Sequence, residues 1–468
     1  MFRTLLLALL IGTAPGCSGV ALSQTTASLP RGVVIPSVRA VENPEQTYAL
    51  YLPNSYSPQK SWPVVYVFDP LARGELALHQ FEHSAELHDF IVAASNNSRN
   101  GPGRPQIDAA QAMANDTQQR FSIDTGRMYF AGFSGGARVA AQLAISCKCA
   151  AGVLLSGAGF PQNAPPSSKT KFSVFSAVGK ADFNYREVIP LQEQFEKTGL
   201  PHWLRVFDGS HEWATPAVID EALAWFRVQA MKANLEPRND EFIAVETVGA
   251  IRLALSFETS GDLLPAWREY SQVAATFDSL ADVSASRSKA ELLEKDKTVR
   301  DQMKRERIAF AEQDRLSEEV MSAVSPAPLP ASAAPPEQLT RSAPELARDL
   351  RQRSLSEKKS ERALVLKRAL GAVFIGSIEA GNSALEKKDY SLAARYFACA
   401  TDANPESDWI FRQLAVARAL SGDRKGAIEA LRSARKLTKD ALTFSEWCKH
   451  ESSFTKLREM PDFRAIVE

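Results

Sequence analysis

Residues 132–136 read Gly132-Phe133-Ser134-Gly135-Gly136, between the apolar run Met128-Tyr129-Phe130-Ala131 and an Ala-, Val- and Leu-rich run over 137–145. A strand, a serine between glycines and a helix can be joined this abruptly only by a tight turn. A Cβ at either flanking position would crowd the neighbouring backbone, so the spacing demands glycine. The turn projects the serine at a helix start, where first-turn N–H groups lack intrahelical partners and face any nearby anion. A strand that must be covered by the helix following it points to an α/β architecture.

The surrounding segments repeat that alternation. Strand patterns fall at 48–52, 64–68, 90–94, 128–132, 151–155, 172–178 and 203–207, and helical patterns at 76–87, 107–121, 137–145, 190–197 and 218–230. Near-continuous apolar strands separated by helices predict a mostly parallel sheet with helices on both faces, in a domain over 31–232. Residues 238–324 read as helical. The stretch 325–344 carries Pro326, Pro328, Pro330, Pro335, Pro336 and Pro344 among Ala and Ser, the composition of a linker.

Residues 345–468 contain an internal repeat. Gly381, Ala393, Phe397 and Ala400 recur 34 residues later as Ala415, Ala427, Leu431 and Ala434, and Pro405 closes the first unit. A period of 34 is that of tetratricopeptide helix pairs, in which small residues allow close helix approach. A related but out-of-phase unit is expected around Gly261, Ala266 and Tyr270, and the tail over 454–467 reads as a cap.

A serine hydroxyl is a weak nucleophile and needs a base within hydrogen-bond reach. His211, in Asp208-Gly209-Ser210-His211-Glu212-Trp213, follows the last strand. Asp182, in Val178-Gly179-Lys180-Ala181-Asp182-Phe183, follows the preceding one and is suited to hold the imidazole's tautomer. Glu212 is a rival acid that adjoins His211 too closely, and Asn184 is a candidate support for Asp182. A competing pattern, His79-Gln80-Phe81-Glu82-His83 with Glu86 and His88 nearby, matches the order of an inverted zinc-peptidase motif. It falls on a helix expected to face solvent without further motifs, so no metal or cofactor is expected.

On these residues, Tyr51-Leu52-Pro53, the 132–136 turn, Asp182 and Gly209-Ser210-His211-Glu212-Trp213, the region resembles the α/β-hydrolase superfamily. It is similar to the lidless esterases of polyhydroxybutyrate-depolymerase-like and feruloyl-esterase-like type, and the C-terminal region resembles tetratricopeptide repeats. The resemblance implies ester hydrolysis through an acyl-serine, with Ser134, His211 and Asp182 as the triad and a small-molecule or polymer-borne ester as substrate. Relatives carry His-Gly after the strand at 64–68, where this chain has Asp69-Pro70-Leu71. The turn after that strand supplies an oxyanion-hole N–H in relatives; Pro70 has no N–H, so the resemblance implies Leu71 as the donor there, together with the backbone N–H of Gly135. Asp69 has three readings: opposing the oxyanion, turning away to cap the next loop, or favouring cationic substrates. The first feeds an alternative, a catalytically weak fold acting as a peptide- or protein-binding module; a serine peptidase is another. The short stretch 157–171, with three prolines, leaves no room for a lid.

The 55 acidic and 55 basic residues balance, so nothing favours nucleic acid as a partner. Lys358-Lys359 reads as solvated surface, and Arg432, Arg435, Lys436 and Lys439 as a helix C-terminus. Residues 1–23 read as an export signal, with Arg3 before an apolar core over 5–11 that is too short to span a bilayer. Ala21-Leu22-Ser23 offers a cleavage site. Alternatively, Ala14-Pro15-Gly16-Cys17 approximates a lipoprotein box that would anchor the chain through lipidated Cys17. A periplasmic or extracellular protein is expected either way, with the repeats free for a protein partner. Cys147 and Cys149 are spaced poorly for a mutual disulfide, whereas Cys399 and Cys448 either pair or remain buried thiols.

Overall fold

The computed structural model describes residues 29–101, 103–325, 341–357 and 360–468. The expected export segment with Cys17, residues 326–340 of the Pro-rich stretch and Lys358-Lys359 lie outside the described residues. Residues up to Lys304 group into one compact unit and those from Arg305 to Glu468 into a second.

The first unit is built on one eight-stranded sheet: β1 (Val34–Arg39), β2 (Thr47–Tyr51), β3 (Trp62–Phe68), β4 (Ile91–Ser95), β5 (Ile123–Phe133), β6 (Ala150–Ser156), β7 (Ser173–Gly179) and β8 (His202–Phe207). The order is β1-β2-β4-β3-β5-β6-β7-β8, and β2 alone runs against the others. Successive strand residues face opposite sides, and both sides are apolar. Val65 and Val67 enter one core with residues of α1 (Gly74–Leu87), while Val64, Tyr66 and Phe68 enter the other with α2 (Gly103–Arg120) and α3 (Gly135–Cys147). α4 (Tyr185–Thr198) joins the α2–α3 side through Phe195, and α5 (Pro216–Lys232) the α1 side through Ile219 and Ala222. This is the mostly parallel sheet with helices on both faces that the sequence predicts. α3 meets the sheet through Ala137, Ala140, Ala141 and Ala144, all buried, and side chains this small bring the helix axis close to the strands.

Three local details differ from the sequence reading. β1 was not anticipated; its exposed residues Pro36 and Ser37 dilute the apolar pattern. α4 begins at Tyr185 and carries Pro190 inside, at the cost of the bond to the Arg186 carbonyl. Cys147 and Cys149 are joined as a disulfide, their Cα atoms 5.1 Å apart. Lys148 between them takes a left-handed conformation (φ 56°) at the end of α3, and that local reversal brings together thiols that an extended spacing would separate. Cys399 and Cys448 are buried, free and in separate cores.

A run of helices follows the sheet, and one of them packs on its β8 edge. α6 (Asp240–Ser260), α7 (Leu263–Thr276) and α8 (Ser284–Lys295) follow, and α9 (Lys297–Val324) runs across the division between the units. The Gln272 side chain of α7 accepts a hydrogen bond from the Leu204 N–H on edge strand β8, one way of blunting an edge. Arg205 of β8 binds Glu221 of α5 (Nε–Oε2 2.7 Å) and Glu269 of α7 (Nη1–Oε2 2.9 Å).

Among its described residues the second unit is built of helices: α10 (Ala343–Ser356), α11 (Glu361–Glu386), α12 (Tyr390–Ala403), α13 (Asp408–Ser421), α14 (Arg424–Leu437), α15 (Ala441–His450) and α16 (Pro461–Val467) follow the end of α9. Ala393, Phe397, Ala400, Ala415, Ala427, Leu431 and Ala434 are all fully buried, and a Cβ on Gly381 would meet the Phe397 ring at 2.7 Å. The turns repeat in phase as well. Left-handed Lys388 (φ 61°) and Gly422 (φ 89°) are 34 residues apart, and so are the helix caps that follow them. Asp389 accepts from Leu392 N–H at 3.1 Å and Asp423 from Gly426 N–H at 2.9 Å. The earlier unit repeats this turn between α6 and α7, with Gly261 left-handed and Ala266 and Tyr270 buried. As expected, Arg435 and Lys436 fall in the last turn of α14.

Candidate active site

Ser134 stands between β5 and α3 with φ 53° and ψ −121°, a conformation costly for a residue with a Cβ and held only by its surroundings. The glycines permit it. A side chain on Gly132 would run into the Gly136 backbone, and one on Gly136 into the Phe68 carbonyl. The Ser134 N–H is tied to the Ser156 carbonyl at the end of β6 (2.8 Å).

The loops after β7 and β8 are joined to each other. Lys180 N–H donates to the Phe207 carbonyl and Ala181 N–H to the Gly209 carbonyl, both at 2.9 Å. Gly179 makes this approach feasible, since a Cβ there would strike the Ser210 carbonyl. The result brings together three side chains from distant sequence positions. Ser134 Oγ lies 2.9 Å from His211 Nε2, and His211 Nδ1 lies 3.0 Å from both Asp182 oxygens. The rings of Phe133 and Phe183 flank the imidazole, with centroids 4.7 and 4.3 Å away. Asp182 is fully buried. Burial pushes its carboxyl above the ordinary aspartate range, against the opposing pull of His211 and of the Asn184 N–H. Asn184 acts in two places: its N–H reaches Asp182 Oδ1 (2.8 Å), while its side chain holds the Gly157 carbonyl (2.7 Å). Glu212 braces its own turn by accepting from Ser210 N–H (3.0 Å).

Asp69 settles between its three readings by turning away. Its carboxylate accepts from Leu71 N–H (2.9 Å), from Arg73 Nε and Nη2 (2.9 Å each) and from the Trp213 indole N–H (2.9 Å). It is buried and fully engaged, so the readings in which it opposes an oxyanion or attracts a cationic substrate do not hold. The expectation for Leu71 needs correcting for the same reason: its N–H is spent on Asp69, and its side chain is exposed. Gly135, at the first position of α3, keeps an N–H that no intrahelical bond can use.

Trp213 was not singled out from the sequence as a partner for Asp69. Their bond spans 144 positions and fastens the His211 loop to the loop after β3. Replacing Asp69 with alanine leaves the buried indole N–H unpaired, at about 1–3 kcal/mol. The half-exposed Arg73 adds little, because water takes over its bond. A urea melt is expected to show a loss within that range; unchanged stability would contradict this role for Asp69.

His79 and His83 lie on the exposed face of α1, where His79 Nδ1 meets Glu82 at 3.1 Å. His88 Nε2 instead bonds Asp220 at 3.0 Å, and Glu86 accepts from the Tyr51 hydroxyl at 2.8 Å. Thus the metal-like pattern is divided among different partners. Among the described residues no group of three or more His, Cys, Asp or Glu is arranged to hold a metal ion.

No family model matches the chain, and no curated protein matches it. Solved structures do. The substrate-bound serine hydrolase FphF of Staphylococcus aureus is 15% identical, covering 42% of this chain and 97% of its own at a TM-score of 0.34. The S-formylglutathione hydrolase FrmB of the same organism is 16% identical, with 42% and 98% covered and a TM-score of 0.35. A feruloyl esterase module from Clostridium thermocellum is 14% identical, with 40% and 86% covered and a TM-score of 0.32.

Proposed function

We propose that this chain is an exported serine hydrolase of carboxylic esters that works through an acyl-serine. The observation that carries the reading is the unbroken hydrogen-bonded path from the Ser134 hydroxyl through both nitrogens of His211 to the Asp182 carboxylate. In this mechanism the Ser134 Oγ forms a bond to the ester carbonyl carbon while His211 Nε2 takes its proton. The carbonyl electron pair moves onto oxygen, which faces the Gly135 N–H. The pair then returns, the carbon–alkoxide bond breaks, and the leaving alkoxide takes the proton from His211. Water enters by the same route in the second half, and Ser134 regains its proton as the acid departs. Asp182 stays ionised throughout and holds the Nδ1–H tautomer.

The site's surroundings favour esters that arrive from open solvent. The connection from β6 to β7, residues 157–172, contains no helix, so no cap is built at the place where lipases insert one. Soluble esters, or an acyl group displayed on a larger molecule, fit such a site. Export, anchoring through Cys17 and a protein partner for the tetratricopeptide-like pairs belong to this proposal. The intact mass of the mature chain tests the first two.

A fluorophosphonate probe tests the central reading. Wild-type protein is expected to gain one covalent adduct, mapped to Ser134 by peptide mass, and Ser134→Ala to gain none. Labelling that is absent, or indifferent to that substitution, would instead favour a binding module on a hydrolase fold.

A further inference from the structure

With Pro70 lacking an N–H and the Leu71 N–H held by Asp69, neither of these positions after β3 partners Gly135 in stabilising an oxyanion. Ala72 does not replace them, because its N–H donates to the Asp69 carbonyl (3.2 Å). Most sites of this chemistry need two or more donors aimed at one oxygen.

The neighbouring loop fills the gap. Residues 96–101 follow β4 and are tied to the loop after β3: Asn100 N–H donates to the Pro70 carbonyl (2.8 Å), and Leu71 pairs with Arg99 as an isolated β-bridge. Gln106 Nε2 braces the Arg99 carbonyl from α2 (2.6 Å). Other polar side chains of this loop are used on backbone. Asn96 holds the Pro36 carbonyl (3.1 Å), and Asn97 binds both Thr47 N–H (2.8 Å) and the Glu45 carbonyl (3.1 Å). The Asn100 amide, by contrast, bonds no other described side chain and lies directly over Gly135. Its Oδ1 sits nearest the point where a Gly135 Cβ would begin, with Nδ2 2.9 Å from it. Gly135 therefore does more than loosen the turn: its missing side chain is the space this amide occupies.

We propose that Asn100 is the second oxyanion donor, contributing its side-chain N–H beside the Gly135 N–H where relatives use a backbone N–H after β3. The inference rests on the hydrolase reading above. A half-turn about χ2 exchanges Oδ1 and Nδ2, and the charge developing on the substrate oxygen selects the orientation that presents Nδ2. The side chain is exposed, as a group meeting substrate in an open site must be.

Two substitutions distinguish donation from packing. Asn100→Asp keeps the shape but has no N–H and adds a negative charge, whereas Asn100→Ala removes both. With a p-nitrophenyl short-chain ester, both are expected to lower kcat by about 10²–10³-fold with KM changed much less, and to slow fluorophosphonate capture by Ser134. Circular dichroism and the melting temperature check that each variant is folded. If wild type labels and turns over while both variants keep kcat within about threefold, Asn100 is not a donor. Asn100→Asp active with Asn100→Ala inactive would mean that the side chain only fills space, and also overturns the proposal. A wild-type chain that neither labels nor hydrolyses would remove the hydrolase reading first, and this inference with it.

Discussion

Ser134→Ala is expected to lower kcat for ester hydrolysis by about 10⁶, with KM little changed, because in the proposed mechanism the nucleophile and its base act as a unit. His211→Ala should cost about as much. The double variant should be no worse than either single one, since once the hydroxyl is gone the imidazole has no proton to take. This non-additivity is the sharper test, because unrelated contributions would multiply. Initial-rate kinetics on the three purified variants, with melting curves to show that each is folded, provide the measurement. Ester hydrolysis surviving the loss of Ser134 would assign the activity elsewhere.

Asp182→Asn should lower kcat by about 10⁴ without unfolding the protein. The amide preserves volume and can still accept from the Asn184 N–H. However, it neither enforces the Nδ1–H tautomer nor balances an imidazolium. The stability effect has the opposite sign. Burial is the largest influence on Asp182 and raises its carboxyl above the ordinary range. In the folded state the proton is therefore held to higher pH than in the unfolded chain. Between the two values the native state binds more protons, so stability falls as pH rises through this window and stays lowered above it. Asparagine removes that burden. At neutral pH the Asp182→Asn variant is thus expected to melt no lower than wild type while being nearly inactive. A much lower melting temperature would mean that the carboxylate is principally a structural anchor.

Trading stability for chemistry fits the rest of the site. Ser134 holds a backbone conformation that a Cβ disfavours, and His211 is confined between two phenylalanine rings. These features were partly legible from the chain. The glycines around Ser134 mark a turn whose steric demands lie within five residues. Asp182 and His211 were found because each follows an apolar strand and the three fall in a known order. The bond of Trp213 to Asp69 and the placement of Asn100 gave no comparable signal. A tryptophan two residues after a histidine reads as core, and an asparagine in Asn96-Asn97-Ser98-Arg99-Asn100 reads as a turn residue.

Short-range patterns were thus enough to specify the two-faced parallel sheet, the serine turn and the 34-residue helix pairs, because strand alternation, glycine spacing and helix periodicity are properties of neighbouring residues. The tertiary structure alone decided where polar groups spend their hydrogen bonds. Asp69 takes the Leu71 N–H and reaches Trp213 across 144 positions, the edge of β8 is met by α7, and the Asn100 amide comes to rest over Gly135. Each buried donor or acceptor must find a partner when water leaves, and which partner is within reach depends on how strands and loops far apart in the chain pack together.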